Sequence, residues 1–212
     1  MFEIFLFINP IGIYCYEVEK RIQTAIKDLD LDVSYHFIPI ATVSGVQDDI
    51  IRRRKDSQHL CDLSYFTLAT NQALEIYHAI KIAYGNKKAR AFLFELQERL
   101  NTDGSIFEDS LIQEIYKQLD LDPATIDQLL DSKYIRESID QDQKLAKQWQ
   151  IKSTPTVIIF NEDKENDTGV LLEGLVSQSE LNQLLSDSEK NDQQLNCVSK
   201  VNIISTNHLR LI

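Results

Sequence analysis

The chain opens with the feature that most constrains its fold, a strand that leads through a short loop into an amphipathic helix. The run Ile4 to Ile8 is almost entirely apolar, β-branched or aromatic, which is typical of a central strand covered on both faces. Asn9-Pro10 ends this run, and from Tyr16 the apolar residues recur at helical spacing. In α/β folds such a loop lies at the carboxyl edge of the sheet, where sites are found. The loop from Pro10 to Tyr16 is therefore predicted to be functional.

A second strand is predicted from Leu31 to Ile40, where polar and apolar residues partly alternate. A strand, a helix and a second strand form a right-handed βαβ unit with two parallel strands, and we expect Gly45 to end this unit. From 46 to 150 there is no strand pattern, and apolar stripes repeat at helical spacing. This region is predicted to be an inserted helical subdomain. Its aromatic stripes are interpreted as helix-packing core, with a ligand cleft as the alternative.

The chain returns to strand after residue 150. Lys152 to Phe160 is predicted to be an apolar strand, and Val170 to Leu172 a short strand that pairs back antiparallel. A closing helix is predicted from Ser177 to Leu185, and a linker from Ser186 to Gln194. The tail from Leu195 to Ile212 is too apolar for a purely solvated segment, so we expect it to dock on the body or on a partner.

Charge and hydropathy limit the possible partners. The 212 residues carry a net charge of −11, which argues against nucleic acid or an anionic membrane surface as the main partner, because phosphate binding needs a basic face. The basic run Arg52 to Lys55 is interpreted as a solvated helix face, with a contact for an acidic partner as the alternative. No apolar segment reaches membrane-spanning length and no signal-peptide pattern is found, so a cytoplasmic location is expected.

The glycines, histidines and cysteines that could form a phosphate, metal or redox site lie far apart in the sequence. The six glycines lie singly, so no phosphate-binding loop is predicted, and the four histidines show no metal-ligand spacing. The sequence therefore predicts neither a metal nor another cofactor. Three cysteines, far apart, fit unpaired thiols in a reducing compartment: Cys15, Cys61 and Cys197.

Two segments resemble the DsbA group of thioredoxin-like proteins. That group carries a Cys-x-x-Cys motif in the loop after the first strand; here Cys15 matches the second cysteine, and Gly12 stands where the attacking cysteine would be. The segment from Leu145 to Val157, which contains Ser-Thr-Pro-Thr, resembles the segment that carries the group's cis-proline. The resemblance implies that the peptide bond between Thr154 and Pro155 is cis and faces the motif loop.

The fold that this resemblance implies is an α/β fold, thioredoxin-like and of the DsbA type, with an inserted helical subdomain. Residues 1–45 and 151–187 are assigned to the thioredoxin-like domain, 46–150 to the helical insertion and 188–212 to a C-terminal tail. The inserted helices are expected to form one wall of a groove above the motif loop, with the edge of the sheet as its floor.

Within the DsbA group, the opening Ile-Phe-Leu-Phe-Ile-Asn-Pro-Ile-Gly followed by Cys15-Tyr16-Glu17 resembles the YjbH/SpxH family of low-GC Gram-positive bacteria. That resemblance implies an adaptor that binds the transcription regulator Spx and promotes its degradation by the ClpXP protease. A lone Cys15 cannot complete dithiol exchange, which needs a second thiol. The alternatives are an enzyme that acts through Cys15, either a DsbA-like thiol oxidoreductase or a glutathione-dependent isomerase, and a structural module.

The predicted site is a peptide-binding surface, with no catalytic residue assigned. Thioredoxin folds bind extended peptides through backbone pairing with the residue before the cis-proline, which requires no sulfur. Cys15 is interpreted as an inert structural thiol, because the second motif position is usually the more buried. The site consists of a degenerate-motif loop, with Pro10, Gly12, Ile13, Tyr14, Cys15 and Tyr16, and a cis-proline loop, with Thr154 and Pro155.

Overall fold

The computed structural model describes residues 1–55, 62–102, 104–161 and 168–186, together with the backbone of 201–205. The expectations for Cys61, for Cys197, for most of the predicted linker and for the rest of the tail fall outside these residues. None of the described helices combines the length and apolar character needed to cross a membrane.

A mixed sheet forms the centre of the described structure. The strands stand in the order β2-β1-β3-β4-β5, with β1 parallel to β2 and every other neighbouring pair antiparallel. The strands are β1 Phe2–Ile8, β2 Val33–Pro39, β3 Thr156–Asn161, β4 Thr168–Glu173 and β5 Val201–Ser205.

Helices cover both faces of this sheet. One follows β1, a block of six lies between β2 and β3 in the described residues, and one follows β4. They are α1 Ile13–Asp28, α2 Val43–Lys55, α3 Leu63–Tyr84, α4 Asn86–Asn101, α5 Asp109–Gln118, α6 Pro123–Leu130, α7 Lys133–Gln148 and α8 Gln178–Ser186. This element order is that of the predicted thioredoxin-like fold with inserted helices.

Strand β1 is buried on both faces, as its apolar run predicted. Ile4, Leu6 and Ile8 point into the main core, which the inserted helices share with α1 and α8. Phe5 and Phe7 point to the opposite face, into a second cluster that contains Trp149. Because both faces need apolar side chains, the strand reads as a continuous hydrophobic run.

The helical insertion begins earlier than predicted. Helix α2 starts at Val43, so Gly45 lies inside the helix and does not end the βαβ unit. A Cβ atom at this position would lie 2.9 Å from Thr42 Oγ1 and 3.3 Å from Thr154 Oγ1. The glycine therefore allows α2 to pack directly against the cis-proline loop, which is the physical reason for the wrong boundary.

Helix α1 also begins earlier, at Ile13, whereas its pattern indicated a start at Tyr16. Gly12 has an extended backbone and no side chain to cap the helix. Instead, Asp49 of α2 accepts a hydrogen bond from the Ile13 N–H, at 3.3 Å. A partner distant in sequence thus supplies the cap, and Cys15 lies in the first turn of the helix.

Part of the tail docks on the body of the protein. Residues 201–205 form β5, which pairs antiparallel with β4 at the edge of the sheet. This segment meets the expectation of docking through its backbone.

Candidate functional site

The structure brings the two predicted loops together around helix α2. Arg52 of α2 donates a hydrogen bond from Nη1 to the carbonyl oxygen of Thr154, at 2.8 Å. Its guanidinium also lies over the ring of Tyr14, with 5.0 Å between Cζ and the ring centroid. The Thr154–Pro155 peptide bond is cis, as predicted. One arginine therefore contacts both loops.

Cys15 is deeply buried and lies in a setting that suppresses its reactivity. Its side chain is 1% exposed, and its Sγ accepts a hydrogen bond from the Asn9 N–H at 3.3 Å. Burial and the nearby Asp49 carboxylate raise the pKa of Cys15 to about 12, against smaller opposing effects of the Asn9 N–H and of Arg52. Since the thiolate is the nucleophile, this setting leaves little of Cys15 in its reactive form at neutral pH.

Gly12 is closely surrounded at the place of the missing cysteine. A Cβ atom there would lie 2.9 Å from Cys15 Sγ, 3.2 Å from Asn9 Cβ and 3.4 Å from Asp49 Oδ1. A side chain at this position would first meet Cys15 Sγ and Asn9 Cβ, with Asp49 of α2 at ordinary contact distance. Gly12 thus fits a space bounded by these three residues.

An ion pair from α2 covers the motif loop. Arg53 Nε lies 2.9 Å from Asp49 Oδ2, and both side chains are almost completely buried. Arg53 Nη2 also donates to the carbonyl oxygen of Ile11, at 2.5 Å. Burial raises the pKa of Asp49, and the Arg53 guanidinium opposes that rise. The pair thus takes up two backbone groups of the loop, the Ile11 carbonyl and the Ile13 N–H.

Helix α4 completes this cover with Gln97, whose side chain is fully buried. Its Nε2 donates to the carbonyl oxygen of Pro10 at 2.8 Å and to that of Asn9 at 3.4 Å. The side chain of Asn9 accepts from the Ile11 N–H within the loop, at 3.1 Å. Side chains of the inserted helices thus bond to four backbone groups of residues 9–13, which we call the sealed loop.

The prediction of a groove above the motif loop is wrong, because the loop is covered. All the predicted site residues are buried except Tyr14, which is partly exposed, and Thr154 is only 4% exposed. The cause is that α2 packs onto both loops, where the prediction placed the insertion as a wall beside them. The interpretation of Arg52 to Lys55 as a solvated face is also wrong for half of the run, because Arg53 is buried and Arg52 caps Thr154.

The residues that seal the loop had weak signals in the sequence. Asp49 and Arg53 stand four apart, which is the spacing of an ion pair on a helix. Gln97 lies between Leu96 and Leu100 on the apolar stripe of α4, where a polar residue needs a buried partner. Among the described residues, no group of three or more His, Cys, Asp or Glu side chains is arranged to hold a metal ion.

Comparison with known proteins identifies the family. The family model described as thioredoxin matches residues 5–183 of this chain. The chain belongs to the thioredoxin family. Its sheet with a parallel β1–β2 pair, its cis-proline before β3 and its degenerate motif at the start of α1 are the family features found here.

A curated relative is the ClpXP adapter protein SpxH of Staphylococcus saprophyticus. It is 23% identical to this chain over 174 residues, which are 82% of this chain and 60% of the relative. The match therefore spans less than two thirds of that adapter's length.

Solved structures show the same fold. A putative protein disulfide isomerase from Nitrosomonas europaea superposes with a TM-score of 0.61 at 11% identity and covers 87% of this chain and 96% of its own. The thiol-disulfide exchange protein α-DsbA2 from Wolbachia pipientis gives a TM-score of 0.55 at 15% identity, over 87% of this chain and 80% of its own. At such low identities these structures establish a DsbA-like fold and no activity.

Proposed function

We propose that this protein is a cytoplasmic adaptor that binds a transcription regulator of the Spx type and promotes its degradation by ClpXP through non-covalent tethering. The observation that carries the proposal is the similarity to a ClpXP adapter along 82% of the chain. The geometry of the degenerate motif supports the non-covalent mechanism, since it offers no reactive sulfur.

The alternative is an enzyme that works through Cys15, as an oxidoreductase or a glutathione-dependent isomerase. Either reaction needs a thiolate that a substrate can reach. Cys15 is 1% exposed, its pKa is raised to about 12, and Gly12 supplies no second thiol. These properties favour the adaptor over the enzyme.

In this proposal the inserted helices stabilise the motif loop in place of a reactive thiol pair. The subdomain assigned to 46–150 provides Asp49, Arg53 and Gln97, which hold the motif loop in place. Client binding by pairing with the Thr154 backbone then competes with Arg52, which already donates to the Thr154 carbonyl. The partly exposed ring of Tyr14 and the guanidinium of Arg52 form the accessible rim of this surface.

The proposal is tested by reconstituting ClpXP with an Spx-type client, with and without this protein. Tethering raises the local concentration of the client, which can increase avidity by about 10²–10⁴-fold. We expect faster degradation at client concentrations well below saturation and little effect at saturating client. This pattern separates tethering from direct activation of the protease, which would raise the rate at all client concentrations.

A matched control replaces the client by a ClpXP substrate that carries its own degradation tag. Degradation of that substrate should not change when the protein is added. Equal rates of Spx degradation with and without the protein, at low client concentration, would refute the adaptor function.

A further inference from the structure

A second region, distant from the motif in the fold, has the properties of a ligand site. A cleft of about 670 Å³ lies beyond the outer edge of β2, bounded by α3, α4 and α7. This volume falls within the range of small-molecule sites, roughly 300–1,000 Å³. We call it the β2-edge cleft.

Aromatic rings form much of its wall. Phe5 and Trp149 meet edge to face, with ring centroids 4.5 Å apart, and the His36 ring stacks on Phe5 at 4.3 Å. Phe37 and Tyr77 lie 5.9 Å apart on the other face of the sheet. All five rings line the cleft. Such surfaces favour a flat, apolar ligand, because aromatic contacts add to the free energy of apolar burial.

The charges at the cleft have an excess of cations, although the whole chain carries a net charge of −11. The two acids that line the cleft already have partners, since Glu3 contacts His36 at 3.0 Å and Asp142 contacts Lys81 at 3.7 Å. Lys87 is exposed and makes no ion pair with any described residue. Its charge is therefore available to a ligand anion.

Arg90 adds a second cation. Its guanidinium lies over the Tyr35 ring at 4.9 Å and 3.9 Å from the buried carboxyl of Glu19. Burial raises the pKa of Glu19 to about 8, against the opposing effects of Arg90 and of the Gln23 hydrogen bond, and this rise weakens the carboxyl as a counter-charge for Arg90.

The cleft also has polar groups that no described side chain satisfies. The Tyr35 hydroxyl is buried and has no hydrogen-bond partner among the described residues. Helix α4 begins at Asn86 beside the cleft, and no side chain caps its first turn. The free N–H groups of a helix N-terminus favour an anion, and Lys87 and Arg90 lie on the same turn.

We propose that the β2-edge cleft binds a small organic acid, with an aromatic ring against the aromatic side chains of the cleft wall and a carboxylate held by Lys87, Arg90 and the first turn of α4. The aromatic walls then contact the ligand ring, and the side chains of Lys87 and Arg90 bind its carboxylate. This site is independent of the adaptor function and of the sealed loop.

A peptide strand fits this edge less well. The hydrogen bonds from the Phe2 N–H to the Asp32 carbonyl and from the Ile40 N–H to the Ile8 carbonyl show that the backbone N–H and C=O groups of even-numbered β2 residues point towards β1. The backbone N–H and C=O groups of odd-numbered residues therefore point towards the cleft. Of these, Phe37 has its carbonyl oxygen occupied by the Tyr77 hydroxyl at 3.4 Å, and Pro39 has no N–H. The pairing ladder is thus interrupted, which favours a compact ligand.

The test uses biphenyl-4-carboxylate and its neutral isostere biphenyl-4-carboxamide, titrated into the full chain. Trp149 is the single tryptophan of the sequence and lines the cleft, so its fluorescence reports on occupancy directly. Calorimetry provides the same affinity without depending on that signal. We expect saturable binding of the acid and at least about tenfold weaker binding of the amide, because the amide lacks the charge-assisted hydrogen bonds.

The variant Lys87→Gln should weaken binding of the acid by roughly tenfold and leave the amide unaffected. Lys117→Gln makes the same change of charge at an exposed position of α5 outside the cleft and should have no effect. Equal affinities for acid and amide, an unaltered affinity in Lys87→Gln, or no saturable binding by either method would each overturn the proposal. Binding of a neutral extended peptide without binding of the acid would also overturn it, in favour of strand addition.

Discussion

The sealed loop and the β2-edge cleft differ in how their polar groups are satisfied. At the sealed loop, Asp49, Arg53 and Gln97 bond to backbone groups of residues 9–13, and of these three side chains only Gln97 keeps a buried atom, Oε1, without a hydrogen-bond partner among the described residues. Among the residues that line the cleft, the Tyr35 hydroxyl and Asp142 Oδ2 have no such partner, and Lys87 makes no ion pair with a described residue. The motif loop is thus covered by the inserted helices, whereas the cleft keeps an exposed charge for a ligand.

A degenerate motif need not leave an empty site. The space around Gly12 is bounded by Cys15, by Asn9 and by Asp49 of α2, so the loop contributes to the core and not to a surface. A protein that acts by binding can tolerate this, because binding needs a surface and not a nucleophile.

The largest expected effect is at the ion pair of the sealed loop. Arg53→Met leaves Asp49 buried without its partner and removes the donor to Ile11. We expect the free energy of unfolding to fall by about 3–5 kcal/mol, as measured by urea denaturation. The control Lys55→Met, at an exposed position of the same helix, should change it by less than about 0.5 kcal/mol. A small loss in Arg53→Met would show that the pair does not hold the loop closed.

Cys15 should react slowly in the folded protein. In a Cys61→Ser/Cys197→Ser background the remaining thiol is Cys15, and its rate of disulfide exchange with Ellman's reagent can be measured alone. Because its pKa is raised from 9.0 to about 12, the thiolate fraction at pH 8 falls on the order of 10³-fold relative to a free cysteine. We expect fast reaction only after unfolding in urea. Reaction of the native protein at the rate of free cysteine would contradict the sealed loop.

Behind the cleft, the buried Glu19, which lies 3.9 Å from Arg90, should make stability depend on pH. Its pKa is about 8 in the folded protein and near 4.5 in an unfolded chain, so the folded state binds the proton more tightly. The stabilisation is therefore complete below about pH 4.5 and is lost as pH rises to about 8. Glu19→Gln should remove this loss. The free energy of unfolding of the variant relative to wild type should therefore rise by on the order of 3 kcal/mol as the pH is raised from about 5 to about 8.5. A difference that does not vary with pH would contradict the buried, protonated carboxyl.

A smaller effect is expected at the rim of the sealed loop. Arg52→Gln frees the Thr154 carbonyl, so a client that pairs with this backbone should bind roughly fivefold more tightly, which corresponds to about 1 kcal/mol. Calorimetry with the Spx-type client measures the change, and Lys55→Gln serves as the control on the same helix. An affinity unaltered by Arg52→Gln would place the client on another surface.

The sequence predicts those parts of the fold that depend on local pattern. The continuous apolar run of β1, the helical stripes of the insertion and the proline before β3 each have a local signature, and the structure has these elements in the predicted order. The start of α1 was missed because its cap is Asp49, which is 36 residues away from Ile13 along the chain. A cap supplied from another helix leaves no local sequence signal.

The closure of the site depends on tertiary contacts that the pattern does not encode. The run from Arg52 to Lys55 gives no sign that Arg53 is buried, since its burial depends on Asp49 and on the Ile11 carbonyl. The cleft, likewise, gathers Phe5, Lys87 and Trp149 from three separate elements. Such a site becomes visible only when the packing of the helices is known.

The most direct test of the central claim is a cysteine-free protein, Cys15→Ala/Cys61→Ala/Cys197→Ala, in the reconstituted degradation of the client by ClpXP. If the protein acts by binding alone, this variant should stimulate degradation to the same extent as wild type in reducing buffer, provided that its thermal stability shows it to be folded. A folded cysteine-free variant that fails to stimulate degradation would contradict the account, because a thiol would then take part in the mechanism.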